Sequence, residues 1–168
     1  LLIVVAIILS RRAQTLHVQS GVPQGEVIYD DSGVREEVEK PLISRRYGLV
    51  GRPDYLVRTQ VAGSAMLIPV EVKSARAPES PYESHILQLG VYCLLVEEQT
   101  KQRPPHGLLR YADATYKIPF TDELRYRVLE TADAIRAARR ASTVARSHEE
   151  PARCVGCGYR NACDESLV

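Results

Sequence analysis

The sequence predicts an α/β fold in which helices flank a mixed β-sheet. Three observations support this prediction: an antiparallel hairpin in the middle of the chain, an apolar helix that follows it, and a strand pair that leads into an amphipathic helix. This order of elements is typical of a sheet covered by helices. At 168 residues the chain is long enough for one such domain and short for two.

The predicted hairpin is the first clear element. Residues 54–59 and residues 65–73 have the composition of strands, and Ala62-Gly63-Ser64 between them has the composition of a turn. Two strands joined so closely are expected to pair antiparallel.

A helix is predicted directly after the hairpin. Ser80 is expected to cap it, Pro81 to occupy its first position and Glu83 to complete a capping box. The helix should run to about Glu98. Because it is apolar on most of its faces, we expect it to be buried at the centre of the domain.

The remaining core elements follow a break at residues 104–107. Residues 108–111 and 116–120 are predicted to form two strands, and Thr121-Asp122-Glu123 opens a last long helix. One stripe of this helix is apolar and is expected to face the core: Leu124, Val128, Ala132 and Ile135.

The N-terminal region differs from the rest of the chain. Residues 1–9 are wholly apolar and precede Ser10-Arg11-Arg12, and because the chain begins with Leu1 we expect further residues upstream. A membrane-spanning helix needs about 20 apolar residues. Residues 1–12 are therefore interpreted as the end of a membrane anchor that exits on the cytoplasmic side, or as a buried strand or first core helix. Residues 13–46 have the composition of a linker and domain edge.

The overall charge neither favours nor excludes a nucleic-acid partner. The formal net charge is +1, so any basic surface must be local. Three arginine pairs are candidates, with ordinary solvated surface as the alternative for each: Arg11/Arg12, Arg45/Arg46 and Arg139/Arg140.

Two carboxylates and a lysine form the most informative pattern. Glu71 and Lys73 lie two residues apart on one strand and should project from one face, with Val70 and Val72 pointing into the core. The hairpin can bring Asp54 close to Glu71. Two neighbouring carboxylates repel unless a cation lies between them, and oxygen ligands suit Mg²⁺ or Mn²⁺. Such a site is suited to phosphodiester hydrolysis; the alternative is a structural Glu–Lys ion pair.

In this order the motifs resemble a known family. Asp54, then Glu71-Val72-Lys73, then Gln88-Leu89-Gly90-Val91-Tyr92 are similar to the motifs of the RecB-like branch of PD-(D/E)xK nucleases, and most of all to CRISPR-associated RecB-like exonucleases. The resemblance covers roughly residues 47–163. It implies a restriction-endonuclease-like fold, with residues 47–141 as the nuclease core.

The resemblance also implies roles for individual residues. Asp54, Glu71 and the backbone carbonyl of Val72 would hold the divalent metal, and Lys73 would position the attacking water. A histidine on an early helix often adds a metal ligand in this family. His17 is the only histidine upstream of Asp54 and is the candidate for that position.

Two further side chains on the predicted helix are implied in catalysis. Gln88 and Tyr92 lie one turn apart and face the same way, and they would shape the site against the DNA backbone. His85 falls on the same face three residues earlier. Ordinary core polarity, satisfied by the backbone, is the alternative for Gln88 and Tyr92.

A C-terminal tail, residues 142–168, is rich in cysteine. Three of the four cysteines of the chain lie there: Cys154, Cys157 and Cys163. Their spacing is similar to that of the same family, which implies a structural 4Fe–4S cluster; the thiolates alone suit Zn²⁺ equally well. The fourth ligand is either a cysteine upstream of Leu1 or His148. Without either of them the cluster site in the tail would be incomplete. Cys93 is expected to be a core residue.

The sequence therefore predicts a metal-dependent DNA nuclease that prefers single strands, an exonuclease with an endonuclease as the alternative. The alternatives are a catalytically inactive nuclease-fold module that binds DNA or a partner, and a zinc-stabilised binding protein. The expected partners are DNA and the proteins of CRISPR adaptation or DNA repair. The expected location is the cytoplasm, with tethering to the inner face of the membrane if residues 1–12 end an anchor.

Overall fold

The computed structural model describes residues 26–28, 34–61 and 63–168. His17 and the apolar segment 1–12 lie outside the described residues, so the predictions made for them stay predictions. The described chain divides into two compact units, with the boundary between Thr131 and Ala132.

The first unit is built on a six-stranded mixed sheet. Its strands are β1 (Glu26–Ile28), β2 (Val34–Glu37), β5 (Tyr55–Val61), β6 (Ser64–Val72), β7 (His106–Arg110) and β8 (Thr115–Pro119). Their spatial order is β1-β8-β7-β6-β5-β2. Strands β6 and β7 are parallel and the other pairs are antiparallel. Two short strands, β3 (Leu42–Ser44) and β4 (Leu49–Gly51), form a separate antiparallel pair.

Two long helices accompany the sheet. Helix α1 spans Glu83–Thr100 and helix α2 spans Asp122–Arg140. Because parallel strands cannot be joined by a tight turn, α1 forms the crossover from β6 to β7, and it packs against both of these strands. The prediction of an α/β fold with a mixed sheet and flanking helices is confirmed.

The predicted hairpin is present in β5 and β6. Tyr55 pairs with Val70 at one end of the ladder, and Val61 pairs with Ser64 next to the turn. Gly63 in the turn has φ +83°, a backbone conformation that glycine adopts without steric cost. The hairpin fixes the register that brings Asp54 beside the end of β6.

Helix α1 is buried at the centre of the unit, as expected. Leu89 and Leu95 are completely buried, and the backbone of β7 comes so near that a Cβ on Gly107 would lie 2.6 Å from Leu89 Cγ. Glycine at position 107 therefore allows the close approach of helix and strand.

The start of α1 differs from the prediction. The helix begins at Glu83 and its N-cap is Tyr82, which makes no side-chain capping bond, so the expected cap at Ser80 is wrong. Pro81 is buried in the core and the chain stays extended through Tyr82 (φ −65°, ψ 139°). Glu83 accepts a hydrogen bond from Arg127 of α2 at 2.9 Å. Tertiary packing thus overrides the local capping signal.

The position of Val72 is the second difference from the prediction. Val70 is buried among Val57, Ile68 and Leu108 on one face of the sheet, as predicted. Val72 on the same face is 41% exposed, and the prediction that it points into the core is wrong. It is the last residue of β6, beyond the apolar cluster that covers Val70.

The second unit contains the end of α2, a short helix α3 (Pro151–Val155) and a single 3₁₀ turn (Arg160–Ala162). Leu124 and Val128 of the predicted apolar stripe are buried, whereas Ile135 is 55% exposed. Ile135 was wrongly assigned to the core, because the stripe is covered only in the first part of α2. Among the described residues no helix is long and apolar enough to cross a membrane.

Candidate functional site

Glu71 and Lys73 lie where β6 ends. The Glu71 side chain is buried, and the residue is only 7% exposed. Lys73 follows the last residue of β6, and its backbone N–H donates to the Arg110 carbonyl at 2.7 Å, which keeps the chain aligned with β7. Lys73 Nζ donates to Glu71 Oε1 at 2.7 Å. Such a buried carboxylate needs partners to offset its desolvation.

Gln88 of α1 supplies the remaining partners and closes the network. Its Nε2 donates to Glu71 Oε1 and to the Tyr92 hydroxyl, both at 2.8 Å. Its Oε1 accepts from Lys73 Nζ at 3.0 Å. The amide group therefore bridges carboxylate, ammonium and phenol, and its orientation is fixed by three bonds.

Asp54 lies directly before β5, because the strand begins at Tyr55, one residue later than predicted. Its N–H donates to the Val70 carbonyl at 3.1 Å and so extends the ladder with β6. Its Oδ2 accepts from the Val72 N–H at 2.6 Å. This short charge-assisted bond fixes the carboxylate beside the end of β6.

The pKa of Tyr92 responds to both carboxylates. Burial raises the pKa of the Tyr92 hydroxyl, a bond with Gln88 opposes that rise, and the negative charges of Glu71 and Asp54 raise the pKa further. Tyr92 is therefore a neutral donor at physiological pH. Asp54 is bound to the N–H of Val72, the residue that follows Glu71, so both carboxylates lie at the same end of β6.

The donor set fits a hard divalent cation. Glu71 Oε1 accepts from Lys73 Nζ and Gln88 Nε2, and Asp54 Oδ2 accepts from the Val72 N–H. Two carboxylates at one strand end supply the oxygen ligands that suit a cation such as Mg²⁺, which retains several waters of its own. Within the part of the chain that the structure describes, no group of three or more His, Cys, Asp or Glu side chains is arranged to hold a metal.

His85 adjoins the network on α1. Its Nδ1 lies 2.8 Å from the Tyr111 hydroxyl, and its ring meets the Tyr82 ring edge to face. Burial lowers the pKa of His85, and the positive charge of Lys73 lowers it further. The sequence indicated His85 but missed Tyr82 and Tyr111. An aromatic residue among polar ones at the predicted helix start was the available signal for Tyr82.

The cysteine tail forms a cavity of about 700 Å³ in the second unit. Cys154, Cys157, Cys163 and His148 all line it. Thiolates are suitable donors for iron–sulfur or zinc sites, but no three of these groups converge as a ligand set in the described structure. Cys93 is separate from them and is buried in the core of the first unit, where burial raises its thiol pKa.

Comparison with known proteins gives concordant results. Residues 9–164 match the model of the PD-(D/E)XK nuclease superfamily. The chain is 28% identical over 122 residues to the CRISPR-associated exonuclease Cas4 of Francisella tularensis subsp. novicida (strain U112), an alignment that covers 73% of the chain and 59% of that relative. It is 34% identical over 139 residues to a CRISPR-associated exonuclease Cas4/endonuclease Cas1 fusion of Myxococcus xanthus (strain DK1622), covering 76% and 23%. The chain therefore spans only part of the length of these relatives.

Proposed function

The chain belongs to the PD-(D/E)XK nuclease superfamily, and from that premise we propose that it hydrolyses phosphodiester bonds of DNA with a divalent metal at Asp54 and Glu71. The observation that carries the proposal is the network in which Glu71 Oε1, Lys73 Nζ and Gln88 bind one another. A buried carboxylate and a partly buried ammonium at a strand end, each held by hydrogen bonds, form a preorganised polar site rather than a surface ion pair.

Each side chain has a distinct task in the proposed reaction. Asp54 and Glu71 would hold Mg²⁺ or Mn²⁺, with the Val72 carbonyl as a further ligand. When bound, the metal supplies a Lewis acid for the phosphoryl oxygen and lowers the pKa of water. Two of the three N–H donors of Lys73 bind Glu71 and Gln88. The third remains to orient a water or a phosphate oxygen.

Gln88 and Tyr92 are positioning residues in this proposal. Gln88 prevents Lys73 from rotating away, because its Oε1 accepts from the ammonium while its Nε2 is bound to Glu71 and Tyr92. Tyr92 anchors Gln88 from the buried side. Removing the Tyr92 hydroxyl or the Gln88 amide should therefore impair catalysis by loosening Lys73 and Glu71.

The names of the relatives support a proposal for the substrate and partners. Their names describe exonucleases of CRISPR systems, one of them fused to an endonuclease. We propose that this chain is an exonuclease that prefers single strands and works beside such an endonuclease in spacer acquisition, with DNA repair as the alternative setting. Residues 47–141 would be the nuclease core, and residues 142–168 a tail that carries the cluster.

The tail is proposed to bind a structural 4Fe–4S cluster through its three cysteines, with His148 or an upstream cysteine as fourth ligand. The shared cavity supports this proposal. Iron content and visible absorbance after anaerobic purification test it, with Cys157→Ser as the variant. Iron in the wild type and its loss in the variant are expected. Stoichiometric zinc without iron would favour the zinc alternative.

Cleavage of 5′-labelled single- and double-stranded DNA with Mg²⁺ or Mn²⁺ tests the nuclease proposal. Glu71→Gln and Lys73→Met should each lower the rate by about 10²-fold or more, and a chelator should abolish cleavage. Glu123→Gln and Lys40→Met remove matching charges from exposed positions and should retain the wild-type rate. Metal-dependent cleavage that persists in Glu71→Gln and Lys73→Met would refute the assignment. DNA binding without cleavage in the wild type would favour a non-cutting module.

A further inference from the structure

Tyr82 is an exposed aromatic residue at the edge of the candidate site. Its side chain is 59% exposed, although the residue directly precedes the buried helix α1. A large ring left in water forgoes the stabilisation that burial would provide. Tyrosine is enriched at interfaces because it combines a large apolar ring with a polar hydroxyl, so an exposed Tyr82 ring on a well-held backbone is a candidate contact for another molecule.

The backbone of Tyr82 is held on both sides. Its carbonyl accepts from the N–H groups of His85 and Ile86 at 3.0 and 3.1 Å. The Tyr82 backbone also lowers the Tyr111 pKa, against the larger, raising effect of burial. The preceding residue, Pro81, is buried. The ring consequently extends from a backbone with little freedom to move.

Aromatic neighbours support the ring from one side. The rings of Tyr82 and His85 meet at 86° with centroids 5.3 Å apart, and His85 is itself bound to Tyr111 at 2.8 Å. An edge-to-face contact occupies at most one face of the Tyr82 ring. The exposed fraction shows that much of the rest of the ring surface is open.

The ring is also connected to the candidate active site. His85 lies one helical turn before Gln88, which binds both Glu71 and Lys73, and the charge of Lys73 acts on the imidazole. Tyr126 of α2 is similarly exposed, but it has no recorded ring contact within the described chain. Exposure alone is thus common to both tyrosines, and support by His85 distinguishes Tyr82.

We propose that Tyr82 is a stacking platform for an unpaired base of the DNA strand whose phosphate lies at the site. A base inside a duplex is covered on both faces by its neighbours, so only an unpaired base can offer a face to the ring. Stacking on aromatic residues is largely independent of base identity. The platform rests on the proposed nuclease function and specifies its substrate: a strand that is unpaired beside the scissile phosphate.

The test measures DNA binding separately from cleavage. Fluorescence anisotropy with Ca²⁺ in place of Mg²⁺ gives the Kd of the full chain for a labelled oligo-dT strand and for an abasic strand of equal length. Tyr82→Ala should weaken oligo-dT binding about fivefold or more, the lower end of one aromatic–base stack, and leave abasic binding unchanged. Tyr82→Phe keeps the ring and should bind as the wild type does. Tyr126→Ala is the matched control and should have no effect.

The outcomes separate the platform from the nuclease proposal. Wild-type oligo-dT affinity in Tyr82→Ala, an equal loss with the abasic strand, or no DNA binding by the wild type would each overturn the platform. If Tyr82→Ala shows the expected selective loss but the wild type cleaves nothing, the platform is supported and the nuclease proposal fails. If the wild type cleaves DNA and Tyr82→Ala keeps the wild-type affinity for oligo-dT, the nuclease proposal is supported and the platform fails.

Discussion

A methyl group added at Gly51 should displace the Tyr92 ring and so disturb the candidate site from its buried side. Gly51 ends β4, and a Cβ at this position would lie 2.7 Å from Tyr92 Cε1, 3.0 Å from Tyr92 Cδ1 and 3.1 Å from Leu95 Cδ1. Contacts this short require a neighbour to move. Tyr92 carries the hydroxyl to which Gln88 donates, so displacement of its ring transmits the change to the network.

The expected loss has two parts. Overpacking a buried position costs about 1–3 kcal/mol of folding stability, and loss of the Gln88–Tyr92 hydrogen bond costs about 1 kcal/mol more. Gln88 also loses its anchor on the buried side, which frees Lys73 to leave its position. Gly51→Ala should therefore be less stable by about 2–4 kcal/mol and should cleave DNA more slowly than the wild type.

Urea denaturation and DNA cleavage of the folded fraction measure these effects. Gly158→Ala is the control, because a Cβ there meets no atom within 4 Å. In a Tyr92→Ala background the ring is absent, so Gly51→Ala should cost little further folding stability. A double-mutant cycle detects this difference as a coupling energy between the two positions. Strictly additive losses, or wild-type stability in Gly51→Ala, would show that the Gly51–Tyr92 contact does not hold the ring.

Three other predictions concern the core. Burial, and secondarily the charge of Lys117, lower the pKa of His106 from 6.5 to about 4. Between these pH values the unfolded chain binds more protons than the folded one. The free energy of unfolding should therefore fall as the pH drops from about 6.5 to 4, by about 1–2 kcal/mol after screening. Urea denaturation across this pH range should show a smaller loss of stability in Lys117→Gln than in the wild type. The same dependence of stability on pH in both proteins would contradict this prediction. Gly107→Ala should destabilise by about 1–3 kcal/mol because its Cβ would overlap Leu89; unchanged urea midpoints would contradict this. Cys93 should resist iodoacetamide until the chain unfolds, because it is buried; mass spectrometry that finds it alkylated in the folded protein would refute its placement.

The parts of the fold that local pattern determines could be predicted from the sequence. The alternation of residues in β6 put Glu71 and Lys73 on one face, and they bind each other there. Helical spacing put Gln88 and Tyr92 on one side of α1, and they are bonded. In both cases residues two or four apart in sequence interact directly, so periodicity suffices.

Features that depend on distant residues could not be predicted in this way. Ser80 does not cap the helix as predicted, because Pro81 is buried and Glu83 binds Arg127, 44 residues away. Tyr111 reaches His85 across 26 residues. No local pattern encodes such pairs, because they form only after sheet and helices have packed.

Metal binding tests the central claim most directly. Isothermal titration of the purified chain with Mn²⁺ should show a site that requires both Asp54 and Glu71. Asp54→Asn and Glu71→Gln should each weaken binding about tenfold or more, whereas Asp133→Asn, an exposed carboxylate on α2, should bind as the wild type does. Equal Mn²⁺ affinity in the wild type, Asp54→Asn and Glu71→Gln would contradict the claim that these two carboxylates share one cation.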